Sequence, residues 1–204
     1  MTAGTLDIHA PARVEGRHGP WIVVATVLAL GIGALGWTML ARSARSALAV
    51  DWAGSLSCTG TRMVHEPGQT APGAVLQPSM RCTLPVRIVN QGWAPLSESA
   101  VLVPAMGPRG TAAVHVASLG GRTATSDPHN ASTAVFDRKR TLAPGESDTF
   151  ALTFTYRPGG CTQPGTFAVT DLPVVRVSAL GLDGLRASAG AVVFHGTVAT
   201  GCAR

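Results

Sequence analysis

An all-β domain of two packed antiparallel sheets, preceded by one N-terminal transmembrane helix, is the fold class that three observations predict. One uncharged run of helical length lies near the N-terminus. After it, apolar residues alternate with period two in short stretches, and 24 glycines and 14 prolines among 204 residues punctuate them. Only 13% of residues are charged and 46% are hydrophobic, which argues against disorder and against a long coiled coil. The length suits one membrane element and one domain.

The uncharged run, Trp21 to Ala41, reads WIVVATVLALGIGALGWTMLA and is bounded by Arg17 and His18 before it and Arg42 and Arg45 after it. A helix of that length rises about 30 Å, the thickness of a bilayer's hydrocarbon core. Trp21 and Trp37 lie near its ends, where indoles favour the headgroup boundary, and Pro20 suits a helix start. The competing reading is a cleaved signal peptide, with Ala47-Leu48-Ala49 as the small-residue site. Against it, the apolar run is too long for a signal h-region, and Arg42 and Arg45 separate it from that site. The expected organisation is a short cytoplasmic tail (1–20), a transmembrane helix (21–41), a linker (42–52) and an extracytoplasmic domain (53–204).

Flanking charge hardly decides orientation, since Arg13 and Arg17 on one side face Arg42 and Arg45 on the other. The cysteines decide it. Cys58, Cys82, Cys161 and Cys202 all come after the helix, and an even number confined to one side fits disulfides in an oxidising compartment. The expected location is therefore the cell membrane, single-pass, with the C-terminal domain outside the cytoplasm.

Within that domain Met80, Cys82, Leu84, Val86 and Ile88 alternate with Arg81, Thr83, Pro85 and Arg87, a strand ending at Asn90-Gln91-Gly92. Pro85 cannot donate to a ladder, so this strand is expected at an edge, or with its pairing interrupted by a bulge. Phe150, Leu152, Phe154 and Tyr156 form the clearest strand, after the turn residues Leu142 to Glu146. Val175, Val177 and Ala179 repeat the pattern, and Asp183-Gly184 reads as the turn of a hairpin next to them. Weaker strands are expected near 56–63, 99–104, 112–118, 133–136, 166–170 and 190–198. With aromatics at 5%, the core should be Val, Leu and Ala with a few Phe. Four cysteines allow three connectivities; Cys58–Cys82 with Cys161–Cys202 joins segments expected to be neighbours, and each loop corresponds to about 3 to 4 kcal/mol in the chain-entropy account.

The stretch Val86-Arg87-Ile88-Val89-Asn90-Gln91-Gly92, and later Leu142-Ala143-Pro144-Gly145-Glu146-Ser147-Asp148-Thr149-Phe150 leading into an alternating strand, resemble the membrane-anchored immunoglobulin-like modules of bacterial cell-envelope proteins. The resemblance covers about residues 80 to 160. It implies an immunoglobulin-like antiparallel β-sandwich and brings no active site. The chain departs from antibody domains: no Trp lies suitably between two strand cysteines, and Tyr156 precedes Cys161 by five residues, not two.

Motifs for chemistry are lacking. There is no G-x-S-x-G nucleophile turn, no phosphate-binding G-x-x-x-x-G-K-[ST] loop and no dinucleotide fingerprint after a strand. His65-Glu66 begins like a zinc-protease helix, but Pro67 comes next and Gln69 stands where the second His belongs. His115, His129 and His195 are far apart, and Met63, Met80 and Met106 form no compact set of soft copper ligands with His65. The thiols are spaced as no zinc site uses them. No cofactor and no metal is expected. The basic balance is almost all arginine, with Lys139 the only lysine, so the charge of +5 is weak ground for nucleic-acid binding, and none is expected.

Arg138, Lys139 and Arg140 are the candidate contact for an anionic surface, set between the strand near Phe136 and the Pro-Gly turn. The bland alternative is a solvated loop that protects a sheet edge. Asn130-Ala131-Ser132 matches a glycosylation sequon by chance. The expected function is a membrane-anchored binding or structural module with no catalytic activity of its own, its partner an unidentified envelope protein or polymer. Two alternatives stand beside it: an accessory subunit acting through its transmembrane helix, and a hydrolase whose site is assembled from separate loops.

Overall fold

The computed structural model describes residues 19–65 and 71–200. Among the described residues one helix, α1 (Gly19–Ser46), precedes strands. The chain divides into two compact units, Met1–Met39 and Leu40–Arg204. In the first unit α1 is apolar on every side, and none of its most apolar stretch is buried by the chain; Trp21 is 76% exposed and Leu30 70%. A helix of this kind is long and apolar enough to cross a bilayer.

The second unit begins with the last turns of α1 and holds three sheets. The first has the order β1 (Leu48–Trp52), β5 (Arg81–Asn90), β11 (Ser147–Tyr156), β7 (Val114–Leu119), β8 (Arg122–Thr123), with β2 (Ser57–Thr59) also on β5. The second has the order β14 (Leu182–Ala187), β13 (Val174–Ala179), β6 (Leu96–Val103), β10 (Ala134–Leu142), β9 (Thr125–Ser126). Their inner faces share one core: Leu84, Val86, Ile88, Leu152 and Phe154 from the first, Leu96, Val101, Phe136, Val175 and Val177 from the second. Taken in chain order, β1, β5, β6, β7, β11, β13 and β14 split into the four-stranded set β1-β5-β11-β7 and the three-stranded set β14-β13-β6. That is the strand arrangement of a constant-type immunoglobulin sandwich, with β10 added beside β6. The fold is an immunoglobulin-like β-sandwich.

A smaller third sheet was not expected. It runs β12 (Gly165–Thr170), β15 (Ala191–Gly196), β4 (Gly73–Val75), β3 (Met63–Val64), and its β15–β4 pair is parallel. Phe194 of β15 extends the core by meeting Phe154 edge-on, with ring centroids 6.0 Å apart, and Phe167 at 5.7 Å. The rest of the core is mostly Val, Leu and Ala, with Phe136 and Phe150, as the composition led one to expect, and it also takes in Ile88, Met80 and Met106.

Several local expectations are corrected. Residues 42–52 form no free linker: α1 continues to Ser46 and β1 starts at Leu48. β5 is internal, not an edge. Pro85 accepts from the Ala53 N–H at 2.9 Å, so its missing donor faces the break where the chain leaves β1 and before it returns as β2. The β13–β14 turn is Leu180-Gly181, at φ 52° and 79°, and Asp183-Gly184 lies inside β14. Positive φ at both central residues is what a two-residue hairpin requires, and here the chain accepts a left-handed Leu to obtain it. Arg138, Lys139 and Arg140 are part of β10, not of a loop.

Cys58 faces Cys82 directly across β2 and β5, and the two are bridged, with Cα atoms 4.0 Å apart. The bridge lies within one sheet, unlike the inter-sheet bridge of antibody domains. Cys161 is also disulfide-bonded. Cys202, its expected partner, lies outside the described residues, as does Glu66 of the His65-Glu66 pair.

Candidate functional site

The turn that joins β10 to β11 carries the candidate site. This turn, Ala143-Pro144-Gly145-Glu146, closes with the Glu146 N–H donating to Ala143 O at 2.9 Å, and Gly145 takes φ 78°. Pro at the second position and a left-handed Gly at the third make a type II turn. Because β10 belongs to the second sheet and β11 to the first, the connection crosses the sandwich. Side chains near its turn therefore link the two sheets.

Asn90, at the end of β5, is buried and fully used. Its side-chain amide donates to Ala94 O and Leu142 O, both at 2.9 Å, and its Oδ1 accepts from Gly92 N–H at 3.0 Å. Its backbone N–H donates to Glu146 O and its carbonyl accepts from Gly145 N–H. The Asn-Gln-Gly and Pro-Gly-Glu motifs, about 50 residues apart in a chain long enough to fold one back on the other, are thus one structure.

Beyond the turn stands a chain of ion pairs. Arg140 binds Glu146 at 2.9 Å and Asp148 at 2.8 Å; Arg138 binds Asp148 and approaches Glu98 with Nε 3.1 Å from Oε1. The Arg138 guanidinium also lies 4.7 Å from the centre of the Phe150 ring. Register shifts on both sides of β6, between Asp137 and Arg140 on β10 and between Arg176 and Val177 on β13, mark β-bulges at this level. Such bulges re-aim side chains, and Glu98, 1% exposed, is turned inward here. The Arg138 approach is near enough for an ion pair but misaligned for a hydrogen bond, and neither Glu98 oxygen accepts one. Burial pushes the Glu98 carboxyl above the ordinary range, against the pull of Arg138, and Asp148 pushes it further. Glu146 goes the other way: the Ala143 N–H and then Arg140 hold it below the ordinary range.

A cleft of about 400 Å³ opens beside this network, lined by Arg122, Arg138, Lys139 and Arg140 with Phe150 and Leu119. The expected trio of cations lines it together, with Arg122 added from β8. Arg138 and Arg140 are held by the three carboxylates. Lys139 is exposed and makes no ion pair among the described residues. Sequence reading missed Arg122, whose lone charge in a Gly-rich turn gave no signal, and Glu98, which looks like any surface residue of an alternating strand.

The histidines stay on separate elements. His115 on β7 is within hydrogen-bond reach of Thr155 at 3.3 Å, and burial, then Arg157, lowers its affinity for a proton. His129 sits in a turn organised by Asp127, and His195 on β15 is buried against Thr166 at 2.8 Å. Met80 and Met106 are core residues, while Met63 lies on β3. Among the described residues no three His, Cys, Asp or Glu are grouped to hold a metal.

No protein-family model matches the chain, and no curated protein does. Among solved structures it is similar to the alkylpurine DNA glycosylase AlkC of Pseudomonas fluorescens, bound to DNA containing an abasic-site analogue, at 13% identity and a TM-score of 0.32. That match covers 74% of this chain and 31% of the glycosylase chain, so this chain spans under a third of its length. It is also similar to the ASH/PapD-like domain 7 of human CEP192, at 11% identity and a TM-score of 0.31, covering 71% of this chain and 86% of that one.

Proposed function

We propose that this protein is a single-pass membrane-anchored module that presents its immunoglobulin-like sandwich outside the cytoplasm, as a binding or structural element of the cell envelope with no catalytic step of its own. The observation that carries the reading is α1: a helix apolar on all sides with none of its apolar stretch covered by the chain needs lipid around it. The Cys58–Cys82 bridge supports the oxidising side. The contact surface is the basic cleft, where Arg122 and Lys139 supply charge that the ion pairs leave free, and its partner is an anionic envelope polymer.

The test uses the full chain in intact cells. The protein should remain in the membrane pellet after alkaline carbonate, and it should react with a membrane-impermeant maleimide at Cys58 only after external reductant is added. Release by carbonate, or cysteines that stay free and shielded from the external reagent, overturns the reading. For the cleft, Lys139→Glu with Arg122→Glu should weaken salt-sensitive retention of the detergent-solubilised chain on immobilised polyphosphate; unchanged retention removes the cleft from the proposal.

A further inference from the structure

The last turn of α1, which belongs to the second unit, is built into the sandwich. Ala41 is 0% and Ala44 1% exposed, and Ala44 belongs to the domain core. The helix's last carbonyls are taken up by the sandwich: Arg186 of β14 donates to Ser46 O at 2.7 Å, and Gln91 N–H to Ala47 O at 3.0 Å. Arg45 folds back to donate to Ala41 O at 3.2 Å. Helix-end carbonyls carry partial negative charge, so a guanidinium there is favourable.

A cleft of about 470 Å³ lies at this helix end, lined by Arg42, Arg45 and Arg186 against a single acid, Asp183. Leu185, on its rim, is 60% exposed, and Trp93, two residues beyond Gln91, is also 60% exposed. The depth of this collar is set by the helix itself. The five steps from Ala41 to Ser46 rise about 7 Å, matching the roughly 5 to 7 Å of headgroup on each face of a bilayer. Surplus arginine beside an exposed Leu, with an exposed indole on the segment that bonds to Ala47, is the chemistry of that layer, where guanidinium binds phosphate and amphipathic rings settle.

We infer that Arg42, Arg45 and Arg186, with Trp93 and Leu185, form a collar that binds the phosphates of anionic lipid headgroups where α1 leaves the membrane. The inference rests on the membrane-anchored reading. Its occupant is the lipid, chosen because the arginines begin one residue after the apolar span ends.

The experiment reconstitutes the full chain in phosphatidylcholine bilayers containing spin-labelled phosphatidylglycerol or spin-labelled phosphatidylcholine, and compares the motionally restricted fraction of each by electron paramagnetic resonance. The wild type should select phosphatidylglycerol. Arg42→Gln should lower that preference about fivefold, and Arg42→Gln with Arg186→Gln should lower it further, leaving only what Arg45 supplies. Arg186→Lys, which retains the charge, should keep the preference, and Arg186→Gln alone should lower it. No preference in the wild type, or a preference untouched by the double variant, overturns the collar. Failure of the chain to incorporate into bilayers would instead overturn the membrane-anchored reading itself.

Discussion

Two buried polar groups near the β10–β11 connection hold the sandwich in opposite ways. Asn90 is neutral and every side-chain group it offers is paired, two donors and one acceptor each within 3.0 Å of a backbone partner. Glu98 is as deeply buried and accepts no hydrogen bond; its compensation is the nearby charge of Arg138. A satisfied amide makes a clamp that stabilises, because each bond replaces water at little desolvation cost. A buried carboxylate opposite a single guanidinium scarcely recovers what it loses in leaving water. The first region is cement; the second is a charge lock whose halves are tolerable only together.

The sharpest way to break this comparison is to remove half of the lock. Arg138→Met should destabilise the full chain in detergent by about 4 kcal/mol in urea titration, because it strands the Glu98 carboxyl. Glu98→Leu with Arg138→Met should return to within about 1 kcal/mol of wild type or above it. A double variant as unstable as the single one would show that Arg138 acts by packing on Phe150 instead. Next in size is the clamp. Asn90→Ala should cost about 3 kcal/mol for three hydrogen bonds, with no apolar pair able to rescue it, since the orphaned partners are backbone. A loss below about 1 kcal/mol would mean water replaces the amide.

The smallest effect is in pH. The folded-state pKa of Glu98 is raised above its ordinary 4.5, so wild-type stability falls as pH climbs from 4.5 through the folded value. Glu98→Gln does not titrate, and its melting temperature should gain on wild type across that window and then run parallel. Glu146 has the opposite sign: its folded pKa is lowered, so its contribution is present above 4.5 and is lost as pH falls through the folded value. Glu146→Gln should therefore flatten the acid side of the curve, where Glu98→Gln leaves it unchanged.

These regions also differ in how legible they are in the sequence. The turn motifs around Asn90 and Gly145 are visible there because turn chemistry is local: a type II turn needs Pro and Gly in adjacent places whatever surrounds it. Their union through Asn90 is not, since nothing in either motif names the other. The stretch Asp137-Arg138-Lys139-Arg140 reads as a solvated loop because four consecutive charges leave no apolar alternation. It forms a strand because a bulge and three carboxylates, Glu98 of β6, Glu146 of the turn and Asp148 of β11, receive the charge. β4 and β1 escape sequence reading for related reasons: one is three residues long and buried on both faces, and the other begins a single residue after the helix.

Hydropathy along the chain determined the greasy helix, the strand character of the remaining residues and the make-up of the core, because burial of apolar surface acts on every residue with the same sign and leaves its period in the sequence. Cysteine placement and short turn motifs were legible for the same reason of locality. Which strands pair, where the third sheet attaches, that Glu98 faces inward and that the last turn of α1 joins the core were decided only in three dimensions. Each depends on partners tens of residues away, and the energy of a pair belongs to neither residue alone.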